Sequence, residues 1–294
     1  MAVYVKTKEE IFVMRECGKR LAEILRKVAS AAKPGMSAKE LDELAEALIL
    51  KAGGMPVFKG YKVKGVSAGF PGSICVSVND EVVHGVPTRE KILKEGDVVG
   101  IDIGMRYPAQ SGGRAQRVEI RERNLRVGGH SAEHRKFQPP TSNLQRPLVT
   151  DMALTIGIGR ISDEARRLID ATREALEIGI RIVKPGAHVG DIGYAVAAYL
   201  KNHHFGIVRD LAGHGVGYEL HEDPLIPNYG TKGSGVELKE GMVIAIEPMA
   251  MCGAENLVLD RDGWTYRTAD GSIAAHFEHS VAVTKDGAEA LTLL

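Results

Sequence analysis

At 294 residues, with a formal net charge of +0 and 44% hydrophobic residues, the chain has length for one large domain or two small ones and for a substantial core. Balanced charge gives no overall pull toward DNA or an anionic membrane, and no run nears the ~18 apolar residues of a membrane span. The three cysteines (Cys17, Cys75, Cys252) are odd in number and widely spaced, and the start MAVYVKTKEEIFVM carries charges where a signal peptide needs apolar residues. A disulfide framework, a zinc-finger pattern and secretion are therefore excluded, and a cytoplasmic protein is expected.

In chain order, Ile11, Met14, Leu21, Ile24, Leu25 and Val28 fall at helical spacing and predict a helix over 8–32, broken by Lys33-Pro34-Gly35. Ser37 and Glu40 form a capping box that opens a second helix, which ends near Ala52 at Gly53-Gly54. Strands are expected at 73–78 (SICVSV), 97–105 (DVVGIDIGM) and 150–158 (TDMALTIGI). A third helix over 162–183 is broken by Lys184-Pro185-Gly186 and followed by a fourth from about Gly190 to Asn202. Strands at 241–249 (GMVIAIEPM) and 276–284 (HFEHSVAVT) close the chain.

Helix, Lys-Pro-Gly, helix and then strands thus occurs twice. That period is too long for a solenoid and implies two related halves whose helices cover a shared sheet. The stretch 108–147 does not belong to this grammar. It has no apolar period, and Arg114 to Pro147 holds eight Lys or Arg against three Glu. A shift of composition this local marks an insertion, and loops beyond about 12–15 residues are unusual inside a compact domain.

Asp102, Asp151, Glu247 and Glu278 each sit among apolar strand residues. A carboxylate there is unfavourable unless it is paired, hydrogen-bonded or metal-bound. One such residue is as readily an ion pair with Arg or Lys as a ligand. Four of them, with His214 between glycines in AGHGVGYELHEDP, call for cations, and two divalent metals supply the compensation. An oxygen-rich set with one imidazole suits Co, Mn, Fe or Zn rather than a thiolate-bound structural zinc.

The motifs HGVP (84–87), IDIG (101–104), TDMALT (150–155), GHGVG (213–217), HEDP (221–224), IEPM (246–249) and FEHSVAVT (277–284) resemble those of type I methionine aminopeptidases. The resemblance runs in order along the chain except at about 108–147. It implies an α+β, pseudo-twofold "pita-bread" fold, with a central antiparallel sheet covered by helices from two related halves. The implied activity is removal of the initiator methionine from nascent polypeptides by a cytoplasmic dinuclear metal hydrolase, expected to be a monomer.

Carried onto this sequence, the resemblance makes Asp102 a ligand of one metal and His214 with Glu247 ligands of the other. Asp151 and Glu278 become bridges between them. Glu247 is also the implied general base. His84 contacts the substrate near the scissile amide, and His221 hydrogen-bonds the scissile carbonyl or its oxyanion. Phe70, Cys75, Leu220 and Trp264 line the methionine pocket. Without the resemblance, Phe70 and Leu220 read equally well as core, Trp264 as a core cap and Cys75 as an inert buried thiol. The family often carries Tyr and Phe where this chain has Phe70 and Leu220, which keeps the pocket apolar but alters its shape.

The two aspartates depart from the family pattern, which sets them close together on a tight hairpin. No Asp lies between positions 103 and 150, so Asp151 has no rival, and a basic insertion at about 109–147 is expected at the hairpin tip of one catalytic domain spanning 1–294. The insertion reads either as disordered or accidental sequence, the favoured reading, or as a surface excursion that touches ribosomal RNA at the ribosome surface. Two other functions stay open on the sequence: an Xaa-Pro peptidase on the same fold, and a non-catalytic binding protein with a disturbed metal site.

Overall fold

The computed structural model describes residues 3–63, 66, 68–109 and 146–293. The insertion expected at 109–147 therefore lies, but for its end residues, outside the described residues. The first half contains α1 (Lys8–Ala31), α2 (Ala38–Lys51), β1 (Met55–Pro56), β2 (Ile74–Val78), β3 (Glu81–Val83), β4 (Val98–Tyr107) and β5 (Leu148–Gly157). The second contains α3 (Asp163–Ile182), α4 (Val189–Asn202), β6 (Gly206–Ile207), β7 (Ala212–Gly215), β8 (Glu222–Pro227) and β9 (Val243–Ile246). It ends with β10 (Met249–Met251), β11 (Leu257–Leu259), β12 (Tyr266–Thr268), β13 (Ala274–His276), β14 (Glu278–Thr284) and β15 (Gly287–Ala290).

All four helices form where the sequence places them, because the caps and breakers act locally. Glu40 N–H donates to Ser37 Oγ (3.2 Å) and Ser37 N–H to Glu40 Oε2 (2.8 Å), as a capping box requires. Thr7 and Glu10 make the same exchange at the start of α1. The apolar stripe of α1 (Met14, Leu21, Leu25, Val28) is fully buried and packs on β4 and β5.

The central sheet runs β1-β4-β5-β14-β9-β7-β8, with β2 also on β4 and β15 on β14. Every pairing in it is antiparallel. β4 and β5 form its longest ladder, in register from Val98↔Gly157 to Tyr107↔Leu148.

The two halves are built alike. Gly35 and Gly186 end the Lys-Pro-Gly breaks at φ +87° and +85°, a region open chiefly to glycine. Gly35 N–H donates to Leu93 O (2.8 Å) and Gly186 N–H to Leu238 O (3.0 Å). Leu93 N–H returns to Met36 O (2.9 Å) and Leu238 N–H to Ala187 O (2.7 Å). Those leucines open a second repeated motif, Leu93-Lys94-Glu95-Gly96 and Leu238-Lys239-Glu240-Gly241, whose glycines take φ 92° and 89°. Each glycine launches a central strand, β4 or β9. Asp102 and Glu247 fall at the same distance beyond the glycine in each half, so these two acids are pseudo-twofold equivalents.

Two expected strands are interrupted. The 241–249 stretch stops at Ile246 and resumes as β10 after Glu247-Pro248, since proline has no N–H for the ladder. Glu247 therefore stands at a break between strands rather than inside one. Likewise β13 and β14 separate at Phe277, where the Thr155 hydroxyl donates to His276 O (2.7 Å) and accepts from His276 N–H (2.9 Å).

The packing of α1 gives a prediction opposite in sign to helix propensity. A Cβ on Gly18 meets the backbone of Leu291, 2.1 Å from its oxygen and 2.7 Å from its carbon. Glycine-to-alanine in an exposed helix stabilises by about 1 kcal/mol. Here Gly18→Ala is expected to destabilise by about 1–3 kcal/mol, as overpacking does, and denaturant unfolding measures it.

Candidate metal centre

Strand parity and register bring the acids together. Asp102 is opposite Ala153 on β5, and Ala153 is opposite Glu278 on β14, so one alanine separates the two carboxylates across the sheet. Asp151 stands opposite Gly104, one pleat along on the same face. Gly104 keeps that space open: a Cβ there lies 3.2 Å from Asp151 Oδ1 and 2.6 Å from Val57 Cγ2. His279↔Ile246 sets β9 against β14, which carries Glu247 alongside Glu278. Gly215↔Ile244 brings β7, and with it His214, to the same place.

Ligand-capable atoms of Asp151, His214 and Glu278 all lie within 4.8 Å of one another, and all three residues are buried. Asp102 is within hydrogen-bonding reach of both Asp151 and Cys75. His214 Nε2 is 3.5 Å from Glu247 Oε1, and His276 Nε2 is 3.5 Å from Glu247 Oε2. His214 Nδ1 lies 3.0 Å from Gly215 O. A carbonyl only accepts, so Nδ1 carries the proton and Nε2 presents its lone pair to the acids, the tautomer a metal-binding imidazole needs.

The charge balance of this cluster demands cations. Burial first, then neighbouring carboxylates, raise Asp151 and Glu278 well above the usual carboxylate range. Burial pushes Asp102 up to about 7. Asp102 Oδ1 and Glu278 Oε1 are buried with no hydrogen-bond partner among the described residues. Orphaned carboxylate oxygens beside an imidazole lone pair fit divalent metal ligation.

A cavity of about 400 Å³ opens above the cluster. Every site residue expected from the sequence lines it: Asp102, Asp151, His214, Glu247 and Glu278, then His84 and His221, then Phe70, Cys75, Leu220 and Trp264. Phe70 and Trp264 meet edge to face with ring centroids 5.4 Å apart, so the apolar wall is rigid. Cys75 is held as a thiol, its pKa raised well above the usual range by burial and then by Asp102. His84 takes φ 57°, a left-handed conformation uncommon outside glycine, and its ring meets Tyr266 edge to face. Burial depresses its pKa. His221 is pushed down to about 3, by burial and then by His214, and is neutral at working pH.

Sequence reasoning missed three residues of this centre. Tyr61 places its hydroxyl 2.6 Å from His221 Nδ1. His276 turns a buried Nε2, which has no hydrogen-bond partner among the described residues, toward Glu247 Oε2 at 3.5 Å. Phe58 adds to the apolar wall. Only His276 left a signal, its two-residue spacing from Glu278 in HFEHS.

Comparison with known proteins agrees with this geometry. The model of metallopeptidase family M24 matches residues 13–113 and 146–285, and is interrupted where the basic stretch lies. The chain is 39% identical to methionine aminopeptidase 1 of Bacillus subtilis over 290 residues, covering 99% of each protein. It is also 39% identical to the methionine aminopeptidase of Aquifex aeolicus over 297 residues, covering 100% of both. The crystal structure of methionine aminopeptidase from Thermotoga maritima superposes with a TM-score of 0.82 at 38% identity, covering 100% of both chains. Prolidase from Pyrococcus furiosus shares the fold at a TM-score of 0.68 and 21% identity, with 65% of its chain covered. The pseudo-twofold α+β pita-bread fold read from the sequence is that of these structures. With its buried carboxylate–imidazole cluster and a family match across both halves, this chain belongs to metallopeptidase family M24.

Proposed function

We propose that this protein removes the N-terminal methionine from polypeptides as a dinuclear metal hydrolase. One observation carries the reading. Four carboxylates and one imidazole converge beneath an apolar cavity of about 400 Å³, with Asp102 Oδ1 and Glu278 Oε1 left without hydrogen-bond partners among the described residues. Relatives that match end to end at 39% identity are methionine aminopeptidases, whereas the likeness to prolidase extends to the fold alone.

Asp102, Asp151, His214, Glu247 and Glu278 hold two divalent ions in this reading, drawn from Co, Mn, Fe and Zn. When bound, such ions polarise a carbonyl and lower the pKa of water to near neutrality. Phe70, Cys75, Leu220 and Trp264 receive the methionine side chain, whose polarisable thioether suits aromatic and thiol neighbours. Glu247 is the general base and returns the proton to the leaving amine. Donation from the Tyr61 hydroxyl to Nδ1 leaves the proton of neutral His221 on Nε2, a fixed donor for the scissile carbonyl oxygen as negative charge develops. His84 contacts the substrate beside the scissile amide.

Action on nascent chains in the cytoplasm, as a monomer, belongs to the same proposal and rests on the resemblance. So does a single catalytic domain interrupted at about 109–147. Pairing of β4 with β5 as far as Tyr107↔Leu148 supports an interruption at the hairpin tip.

Four results are expected. Chelation abolishes hydrolysis of Met-Ala peptides, and restored metal recovers it. Asp151→Asn binds fewer than two ions by titration calorimetry and loses at least about 1,000-fold in kcat/KM, or ~4 kcal/mol of barrier. Cleavage of Ala-Pro in preference to Met-Ala peptides defeats the reading outright.

The third result concerns pH. In the metal-free fold Asp102, Asp151 and Glu278 hold protons above the ~4 where unfolded carboxylates release them. The folded state then binds more protons than the unfolded one, and stability falls as pH rises from about 4 toward 7. The melting temperature of the metal-free protein is expected to drop across that window, while metal affinity, which requires deprotonated ligands, climbs. Fourthly, Tyr61→Phe frees the His221 tautomer and is expected to lower kcat about tenfold with little change in KM, as steady-state kinetics on Met-Ala peptides will read.

A further inference from the structure

The charged N-terminal segment has no part in the metal centre, yet it is tied to the loop that carries His221. Lys6 Nζ lies 2.5 Å from Glu222 Oε2, with both side chains 1% exposed. The other oxygen, Glu222 Oε1, accepts from the Tyr218 N–H (2.6 Å) and the Glu219 N–H (3.0 Å). Those two bonds close the turn that sets Leu220 and His221 on the cavity wall. One carboxylate therefore does two jobs: one oxygen shapes the turn, the other is neutralised from across the chain.

The segment around Lys6 is fixed by more than the ion pair. Lys6 N–H donates to Gly241 O (2.7 Å), in the turn that launches β9, and Val3 bridges in parallel to Asp223. Tyr4 meets Tyr218 edge to face at 5.1 Å, and the Lys6 ammonium lies 5.2 Å from the Tyr218 ring centroid. Tyr218 OH donates to Glu10 in the first turn of α1 (2.8 Å). Gly217 takes φ +146°, and a Cβ there comes within 2.5 Å of Lys6 Cε, so the lysine stem passes only because position 217 is glycine.

We propose that Lys6 is a positioning residue for catalysis: through Glu222 it holds the 218–222 turn in the shape that presents His221 to the substrate carbonyl. The inference rests on reading the cavity as a peptidase centre. A buried ion pair is a weak source of net stability compared with apolar packing, so its consequence here is the geometry of the two N–H groups it organises. Without Lys6, Glu222 is a buried uncompensated charge; it turns toward water and releases both N–H groups.

Three full-length variants test this by steady-state kinetics on a Met-Ala-Ser peptide, with melting temperature, metal stoichiometry and amide exchange at Tyr218 and Glu219. Lys6→Met is expected to lose about 10- to 100-fold in kcat with metal binding unchanged, as slight misplacement of a catalytic group does, and to exchange faster at both amides. Lys6→Met/Glu222→Gln removes the charge but keeps an acceptor, and is expected within about threefold of wild type. Lys6→Met/Glu222→Leu removes the acceptor as well, and is expected to be as slow as Lys6→Met.

Folded, metal-loaded Lys6→Met turning over at the wild-type rate overturns the proposal. So do two double variants of equal melting temperature with equal kcat, the outcome for a merely structural pair. If Lys6→Met does not fold, the two double variants decide, since neither buries a lone charge. If wild type itself cleaves no Met-Ala-Ser, the peptidase reading fails separately, and exchange at Tyr218 and Glu219 still reports whether Lys6 holds the turn.

Discussion

Four carboxylates converging at one face of an antiparallel sheet, Asp151 and Glu278 buried and Asp102 and Glu247 half-buried, are the constraint around which this molecule is organised. Burial, with Glu247 adding to it, lifts Asp102 to about 7, and burial followed by the neighbouring carboxylates lifts Asp151 and Glu278 well above the usual carboxylate range. Left to protons, the cluster strands Asp102 Oδ1 and Glu278 Oε1 without hydrogen-bond partners among the described residues. Divalent cations resolve both problems at once, because they replace repulsion with attraction and saturate the stranded oxygens. The helices and apolar strands around the cluster keep it dry, which is what makes the arrangement unfavourable without metal and strong with it.

Pseudo-twofold construction explains why the acids meet at all. Each half opens a central strand with Leu-Lys-Glu-Gly, and each strand delivers one acid to the midline, Asp102 from β4 and Glu247 from the end of β9. The partner strands extend the correspondence: Asp151 pairs with Gly104 and His276 with Met249, positions equivalent in the two halves. The halves then diverge where chemistry requires it. On the β4 side the ladder runs unbroken through Asp102. On the β9 side Pro248 ends it, and the freed backbone swings Glu247 between His214 and His276. A symmetric scaffold thus holds an asymmetric site, with imidazoles on one side only.

What could be read from the sequence followed the range of the forces involved. Caps, glycine breakers and apolar periodicity act over a few residues, so all four helices and the main strands were legible within their ends. Acids amid apolar strand residues were legible as candidates because burial of charge is unfavourable wherever it occurs. Illegible were the contacts that depend on distant segments: Tyr61 on His221, His276 beside Glu247, and Lys6 on Glu222. Each is an ordinary polar residue whose partner is fixed only by tertiary structure. The short strands β6 to β8 escaped as well, since Gly206–Ile207, the glycine-rich Ala212–Gly215 and the proline-bearing Glu222–Pro227 pair only because a neighbouring strand is already there. Lys6 is the sharpest case. In the sequence it is one charge among several in the opening segment, yet the side chain is among the most buried charges described.

The separation of Asp102 from Asp151 along the chain is the feature that could have undone the site, and the sheet shows why it need not. A hairpin's register is set by which faces are buried: slipping β5 by one residue turns Asp151 out of the cluster and drives Met152 and Leu154 off the core face. Ten paired positions, from Val98↔Gly157 to Tyr107↔Leu148, hold that register, and α1 covers both strands on the side away from the acids. β14 clamps β5 independently, with Glu278↔Ala153 and the Ser280 hydroxyl donating to Asp151 O (2.8 Å) while accepting from Asp151 N–H (2.9 Å). Closure entropy grows only logarithmically with the length of a connection, about 0.6 kcal/mol per doubling. Lengthening the connection from Ala109 to Arg146 therefore weakens the hairpin far less than the ladder, the helix and β14 strengthen it. The position of Asp151 is decided by the strands on either side of it rather than by the chain that leads there.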